Sequence, residues 1–499
     1  MVSSSLRRLR LAAALACSLV AAPLPLARPL HAQITAAEYA ARRDSLAARV
    51  DSGIVVAFGG RNPVTDFGTF FQIPGFRYLT GYLEPDAALV ILIRGGQPRS
   101  TLFVTPADPR RAFYYGFRPD SATIARELAL DSRPVESFGT VLDSLVTANG
   151  ALPVYELPDI EDQDFARTDT LTRGQKWLTA FAEGHPDLVV RDATPMVDQL
   201  RARKSPAELA SLRRAAEISA EGHRAVLTAP EPRHEYEWAA VLEYTFKRLG
   251  SSRPAYGSIV GAGVNGTQLH YMKDGGPARP GDLVVMDAAA EYEGYAADIT
   301  RTVPVSGTFT REQREIYQIV RDAQAAAERQ VRPGGSAQAS LDSSIAVRAR
   351  GLAKLGLIDS ANAMIDLPWH ADCDRSPVQC TQANLWMIHG ISHGLGLAVH
   401  DPAQFYEGDR TYQPGDVFTI EPGIYISTRA LDALPDTPRN RAWIARVRPL
   451  VKKYENTGVR IEDDYIVTEG GVERISSKAP REIDEIEAIM RQRPASVVP

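Results

Sequence analysis

The run MDAAAEYEGYAADITRT at residues 286–302 sets Asp287 and Asp298 eleven positions apart, and β-hairpin geometry accounts for that spacing. LVVMDAAAEY (283–292) and YAADITRT (295–302) read as extended segments on either side of Glu293-Gly294, a pair suited to a tight hairpin turn. With those two residues at the tip, position 289 lies opposite 298. Side chains two apart share a face, so Asp287 and Asp298 become diagonal neighbours aimed into one space. Ala288, Ala289, Ala290, Ala296 and Ala297 are expected to leave room beside them. Taken alone, the pair fits a surface hairpin with two solvated acids equally well.

Three further runs change that balance. In HGISHGLGLAVHD (389–401), His389, His393 and His400 stand among Gly390, Gly394 and Gly396. The spacing of four imitates a two-histidine zinc helix, but the glycines disfavour a helix and predict a loop whose backbone approaches a ligand closely. In FTIEPGIYI (418–426), Glu421 precedes Pro422, which a central strand tolerates poorly, so the run should bend there. In GVRIEDD (458–464), alternation puts Arg460, Glu462 and Asp464 on one face and Ile461 and Asp463 on the other. Asp287, Asp298, Glu421 and Glu462 are four carboxylates; in one cavity they ionise together only if cations neutralise them. Two divalent ions balance four negative charges, which predicts a two-metal hydrolytic site. Oxygen donors outnumber the His393 nitrogen four to one and no sulfur takes part, which favours Mn²⁺ over Zn²⁺.

The rest of the chain supplies the setting. Its 499 residues are enough for more than one domain, and 44% apolar with 23% charged residues is an ordinary globular composition. The net charge is −5 and no basic run follows residue 30, which argues against nucleic acid as a partner. Residues 1–32 read as an export signal: Arg7, Arg8 and Arg10, an apolar stretch from Leu11 to Ala22, and Leu30-His31-Ala32 before the cut. That segment holds four Arg and no acid, so its removal takes the net charge to −9. Pro23 and Pro25 disfavour a spanning helix, so no stable membrane association is expected, and the mature protein is expected to be periplasmic or secreted. Cys373 and Cys380 then remain as a loop disulfide, with free thiols or a metal clip as alternatives. Residues 33–195 read as a mixed α/β domain, with a helix over 35–50 opened by a Thr35/Glu38 capping box and strands at 53–60, 86–94 and 101–106. Ser205-Pro206-Ala207-Glu208 starts a helix near the opening of a second, α+β domain over 196–490, with helices outside a curved sheet that holds the site; 491–499 is a tail.

In order, the four motifs resemble the M24 "pita-bread" metallopeptidases, and among them the Xaa-Pro aminopeptidases (aminopeptidase P). FRYLTGYLEPDAALVILI (76–93) and RARKSPAELASLRRAAEIS (201–219) are similar to that family's N-terminal segment and to the start of its catalytic domain. The resemblance implies a pita-bread catalytic domain preceded by a creatinase-like domain. It makes Asp287, Asp298, His393, Glu421 and Glu462 the ligands of two ions, Mn²⁺ or Co²⁺, with Zn²⁺ also possible; Asp298 and Glu462 bridge, Asp287 binds one ion, and His393 with Glu421 the other. His270, in NGTQLHY (265–271), matches a substrate-handling histidine, as do His389 and His400, and Arg460 matches an arginine close to the site. Glu421 is expected to take the proton of the attacking water, and His270 or His400 to serve the oxyanion and the leaving proline nitrogen.

The implied substrate is a peptide with proline at its second position, and the implied assembly a homodimer or tetramer. A dipeptidase of the same fold (prolidase) is the near alternative, and a non-catalytic peptide-binding module the distant one. Ser392 before His393 looks more like the aminopeptidase subgroup. The chain departs from the family at Ala289 and Ala297, where glycine is usual. It also departs after His400-Asp401, where Pro402-Ala403 stands in place of a nearby glycine, and in the long stretch 427–457, which could narrow the cleft.

Overall fold

The structure is a computed structural model that describes residues 34–62, 68–150, 152–159, 172–229, 232–370, 372–375, 377, 379–406 and 410–494. The expected export signal lies outside these residues.

Helix Ala36–Val50 opens on Thr35, whose hydroxyl accepts from Glu38 N at 3.2 Å. Only half of the expected capping box forms there. The Glu38 carboxylate turns away to Arg42 (2.8 Å) and to the Ser205 hydroxyl (2.6 Å), since a charged partner and a distant donor outweigh one local backbone bond. Six strands follow: β1 (Gly53–Phe58), β2 (Ala88–Arg94), β3 (Gln97–Val104), β4 (Asp131–Pro134), β5 (Val154–Leu157) and β6 (Val190–Asp192). They form one mixed sheet in the order β4-β3-β2-β1-β5-β6, with β1 antiparallel to β2 and parallel to β5. Alternation along β1 divides its side chains between two cores. Val55 and Ala57 meet Leu46 and Phe76, whereas Ile54 and Val56 meet Phe103 and Leu142, so both faces of the sheet are covered.

Ser205 and Glu208 complete a reciprocal capping box, with Pro206 in the first turn of a 23-residue helix, Pro206–Thr228. Glu208 also accepts from the Tyr295 hydroxyl (3.1 Å) and lies 3.4 Å from Arg42, so one buried carboxylate joins three segments.

Beyond this helix lie β7 (Ile259–Ala262), β8 (Leu283–Asp287), β9 (Glu291–Tyr292), β10 (Tyr295–Ala296), β11 (Thr300–Pro304), β12 (Val417–Ile420), β13 (Gly423–Ile426), β14 (Thr457–Arg460), β15 (Asp463–Thr468) and β16 (Gly471–Arg474). The expected curved sheet is interrupted. It forms separate hydrogen-bonded pieces, β11-β8-β7, β10-β9, β12-β15-β16 and β13-β14, whose ends fall at or beside the acidic residues. Helices Pro206–Thr228, Glu235–Arg248, Arg311–Glu328 and Ala337–Lys354 carry the apolar residues, Trp238 and Tyr317 among them, that close over these strands.

The stretch 427–457 forms two helices, Thr428–Asp432 and Pro438–Lys453. Trp443 packs 6.2 Å from Trp386, and Arg439 and Arg446 pair with Asp366 and Asp359. Its other polar contacts include Thr428 N donating to Glu455 within the stretch and Tyr454 donating to Glu315 of helix Arg311–Glu328. Cys373 and Cys380 are joined as a disulfide beside these segments.

Candidate metal centre

Glu293 (φ 50°) and Gly294 (φ 87°) occupy the tip of the hairpin, the two positive values that a type I′ turn requires. Tyr295 faces Tyr292 and Thr300 faces Asp287 in one continuous register, held between them by Ala297 N to Ala290 O and Ala288 N to Ile299 O. Asp287 and Asp298 therefore share a face. Arg77, from helix Pro74–Thr80, donates to Glu293 O and covers Gly294, whose missing side chain makes that approach possible.

Two of the alanines serve packing as well. Ala289 and Ala297 pack against Ala215 and Ala216 of helix Pro206–Thr228, so their small size admits a helix against the hairpin. The same helix grips the hairpin backbone. Ser219 Oγ accepts from Ala290 N at 2.8 Å, and His223 Nε2 lies 2.9 Å from Ala288 O. His223 is fully buried, and desolvation, followed by the Arg301 charge, lowers its pKa to about 4, which keeps the ring neutral.

The second pair of acids comes from a second shared register. Ile420 faces Asp463 across β12 and β15, and Gly423 faces Arg460 across β13 and β14, which sets Glu421 opposite Glu462 in the break between them. Pro422 bends the chain where its ring was expected to. The alternation through 460–464 also holds: Arg460 reaches Asp287, Glu462 accepts from Thr300 Oγ1 (2.6 Å), and Asp464 accepts from Asp298 N (3.2 Å). Asp463 points the other way, to Arg301 (2.7 Å) and Arg481 (2.8 Å).

The five predicted ligand residues converge. Donor atoms of Asp298, His393 and Glu462 all lie within 4.8 Å of one another. His393 Nε2 is 3.4 Å from Asp298 Oδ2 and 3.5 Å from Glu421 Oε1. The Tyr256 hydroxyl sits 2.6 Å from Asp287 Oδ1 and 2.5 Å from Asp298 Oδ1. One phenolic hydrogen serves only one of these oxygens at a time. Burial, then Glu462 and Asp287, drives the Asp298 pKa well above the usual carboxylate range; burial and Glu462 do the same to Glu421. Burial pushes the Asp287 pKa up, but the Arg460 guanidinium 2.5 Å away and the Tyr256 hydroxyl together bring it below the usual carboxylate range. One arginine cannot compensate four carboxylates. This donor set, oxygen-rich with one imidazole and no thiolate, fits two hard divalent cations.

Histidines frame the cluster. Residues 387–403 form an irregular loop, as the glycines imply, but those glycines serve the chain's own close approach. Gly394 bridges both Asp401 and Phe418, and a side chain on Gly394 or Gly396 would run into Asp401. His389 is largely enclosed, with Nε2 2.9 Å from the Tyr425 hydroxyl and Nδ1 3.5 Å from Glu421 Oε2. Desolvation, reinforced by Arg460 and Arg348, holds it neutral. His400 is exposed, with its ring 4.2 Å from that of His393. His270 is also exposed and follows Leu269, whose carbonyl accepts from Arg460 at 3.4 Å. A cavity of about 410 Å³ opens beside His393 and His400; Ile73, Leu157, Asp198 and Pro402 contribute to its wall.

Several members of the site carry no readable sign in the sequence. Tyr256 stands in a loop with no motif around it. Arg348 approaches from helix Ala337–Lys354 and donates to Gly423 O at 3.1 Å. Tyr425 and Asp464 lie inside quoted motifs, and period-two alternation from Glu462 was enough to orient Asp464.

Comparison with known proteins agrees with this geometry. Residues 210–469 match the family model for metallopeptidase family M24, and residues 39–155 match that for the aminopeptidase P N-terminal domain. The chain is 34% identical to the Xaa-Pro aminopeptidase of Haemophilus influenzae over 84% of its length and 88% of the relative. It is 33% identical to the Xaa-Pro aminopeptidase of Escherichia coli over 92% and 98% of the two chains. Among solved structures, E. coli aminopeptidase P with the inhibitor Pro-Leu superposes with a TM-score of 0.75 at 30% identity, covering 92% and 98%. A structure described as a putative aminopeptidase P from Bacillus anthracis gives 0.78 at 27%, covering 93% and 100%.

Proposed function

Since the chain belongs to metallopeptidase family M24 and is an enzyme of that family, we propose that it is an exported two-metal Xaa-Pro aminopeptidase, which removes the first residue from peptides with proline second. The observation that carries this reading is the convergence of three buried carboxylates, the partly buried Glu421 and His393 around one space, with Arg460 paired to only one of the acids, Asp287.

Asp287, Asp298, His393, Glu421 and Glu462 would hold the two ions, and Mn²⁺ suits the oxygen-rich set better than Zn²⁺. Bound there, the ions would lower the pKa of a water and polarise the scissile carbonyl. The protein's own groups do the rest. Glu421, with its proton affinity raised by burial and Glu462, accepts the proton of the attacking water. Arg460 and Tyr256 hold Asp287, and Thr300 holds Glu462. Neutral His389 is fixed against Tyr425. The nitrogen of a peptide-bonded proline has no hydrogen, so the leaving group must gain a proton, and His270 and His400 at the exposed edge can supply it while stabilising the oxyanion. The substrate's free amine is drawn to the acidic cluster, as an exopeptidase requires.

Ala-Pro, Arg-Pro-Pro and Arg-Ala-Pro incubated with metal-reconstituted enzyme test the reading. Release of Ala and Arg from the first two alone supports it. Cleavage of Ala-Pro without Arg-Pro-Pro would turn the reading to a dipeptidase, and no release with any ion would end it. Export to the periplasm or beyond predicts a mature N-terminus at Gln33, read by Edman degradation. Assembly as a homodimer or tetramer is supported by Phe113, Tyr114, Tyr115 and Phe117, exposed by 92%, 74%, 69% and 90% on one short segment; light scattering reads the mass.

A further inference from the structure

The loop that carries His393 and His400 ends on Asp401, a buried carboxylate that the proposed chemistry does not use. Arg201 Nη2 lies 2.5 Å from its Oδ1, Lys204 Nζ 2.9 Å from its Oδ2, and Ala398 N donates to Oδ1 at 3.1 Å. The two cations come from the segment that leads into helix Pro206–Thr228, not from the loop. All three side chains are buried, at 8%, 1% and 2% exposure for Arg201, Lys204 and Asp401. Lys204 also donates to Pro402 O at 2.9 Å. Two glycines let the loop close on this carboxylate. Asp401 N donates to Gly394 O at 2.9 Å, and the Asp401 side chain fills the place of a Gly396 side chain. Gly396 O in turn accepts from Ala296 N, at the hairpin that bears Asp298.

A buried carboxylate with two buried cations is a costly arrangement for a loop whose termini could be held by backbone bonds alone. What it fixes is the residue directly before it, His400, together with Gly394, directly after His393. We infer that Asp401, clamped by Arg201 and Lys204, is a positioning residue that holds His400 in register with His393 for the hydrolytic step. The inference rests on the proposed peptidase reading and on the role given there to His400. It makes the segment 201–204 part of the catalytic apparatus through its hold on the loop, because a small displacement of a proton-transfer group lowers rate far more than binding.

The test is a kinetic double-mutant cycle on the full, metal-loaded chain. Asp401→Asn and Lys204→Met should each lower kcat on Ala-Pro about tenfold or more, with KM within about threefold and bound metal by mass spectrometry unchanged. Combined with His400→Ala, either change should cost less than about threefold beyond His400→Ala alone. Lys204→Arg, which keeps the charge, should recover most of the Lys204→Met loss. Folded, metal-replete variants with normal kcat overturn the inference, as do full losses that simply multiply in the His400→Ala background. Should Asp401→Asn fail to fold, the Lys204 pair decides alone. A wild-type enzyme that cleaves no Xaa-Pro peptide would instead defeat the peptidase reading.

Discussion

Acid should destabilise this protein through one buried imidazole that no reaction step uses. His223 is fully enclosed behind the ligand-bearing hairpin, where desolvation and then the Arg301 charge lower its pKa from the usual 6.5 to about 4. Between those values the unfolded chain binds a proton that the folded chain refuses. The contribution is therefore complete above about pH 6.5, declines as the pH falls, and is exhausted near pH 4. At 1.36 kcal/mol per unit the full loss is about 3 kcal/mol, of which about 2 kcal/mol is gone by pH 5. Asp298 and Glu421, whose pKa values are raised, act with the opposite sign, so the wild-type slope alone is ambiguous. The difference between wild type and His223→Gln isolates the imidazole, because glutamine keeps an N–H donor for Ala288 O and has nothing to titrate. Equilibrium urea unfolding, followed by tryptophan fluorescence at pH 7, 6 and 5, should show the gap between the two proteins narrowing toward acid by about 2 kcal/mol. Parallel pH dependences, agreeing within about 0.5 kcal/mol, would refute a buried neutral His223.

Asp298→Asn and Glu462→Gln should each abolish turnover and reduce bound metal, measured by mass spectrometry on dialysed protein; metal-depleted variants with near-normal rates would disprove the shared-ligand assignment. Tyr256→Phe removes a hydroxyl aimed at two carboxylates and should weaken metal affinity about tenfold or more in a competition titration with a chelating dye. Chelation should lower the melting temperature of wild type, since ions that bind only the folded state contribute about 4 kcal/mol at a thousandfold excess over Kd. A melting curve indifferent to chelator would contradict a donor set that needs cations.

Much of the site was readable because strands impose a period of two. The Glu293-Gly294 turn predicted that 289 faces 298, and the observed pairing of Thr300 with Asp287 keeps that register. Alternation from Arg460 to Asp464 sorted five residues onto two faces, and Pro422 marked the bend. What escaped was long-range. Nothing in the local pattern tells that Tyr256 reaches two acids or that Arg348 lies behind Glu421, because those contacts cross elements far apart in the chain. Ala289 and Ala297 were read as space beside a ligand, and they also seat a helix, two roles that demand the same small side chain. The length of the stretch 427–457 gave no sign of its two helices' partners, among them Asp359 and Asp366, which are likewise distant in the chain.

The facing of Glu421 and Glu462 constrains which edits this gene product can tolerate. Ribbons β12/β15 and β13/β14 keep one frame across the interruption, so neither half can absorb a shift on its own. Deleting or inserting a single residue between Arg460 and Asp464 would turn Asp463 inward and Glu462 outward, trading the partner of Arg301 and Arg481 for the acid beside Thr300. Length changes should therefore abolish activity within these few positions and be better tolerated in the Glu469-Gly470 turn a few residues on, a contrast that a deletion library would reveal.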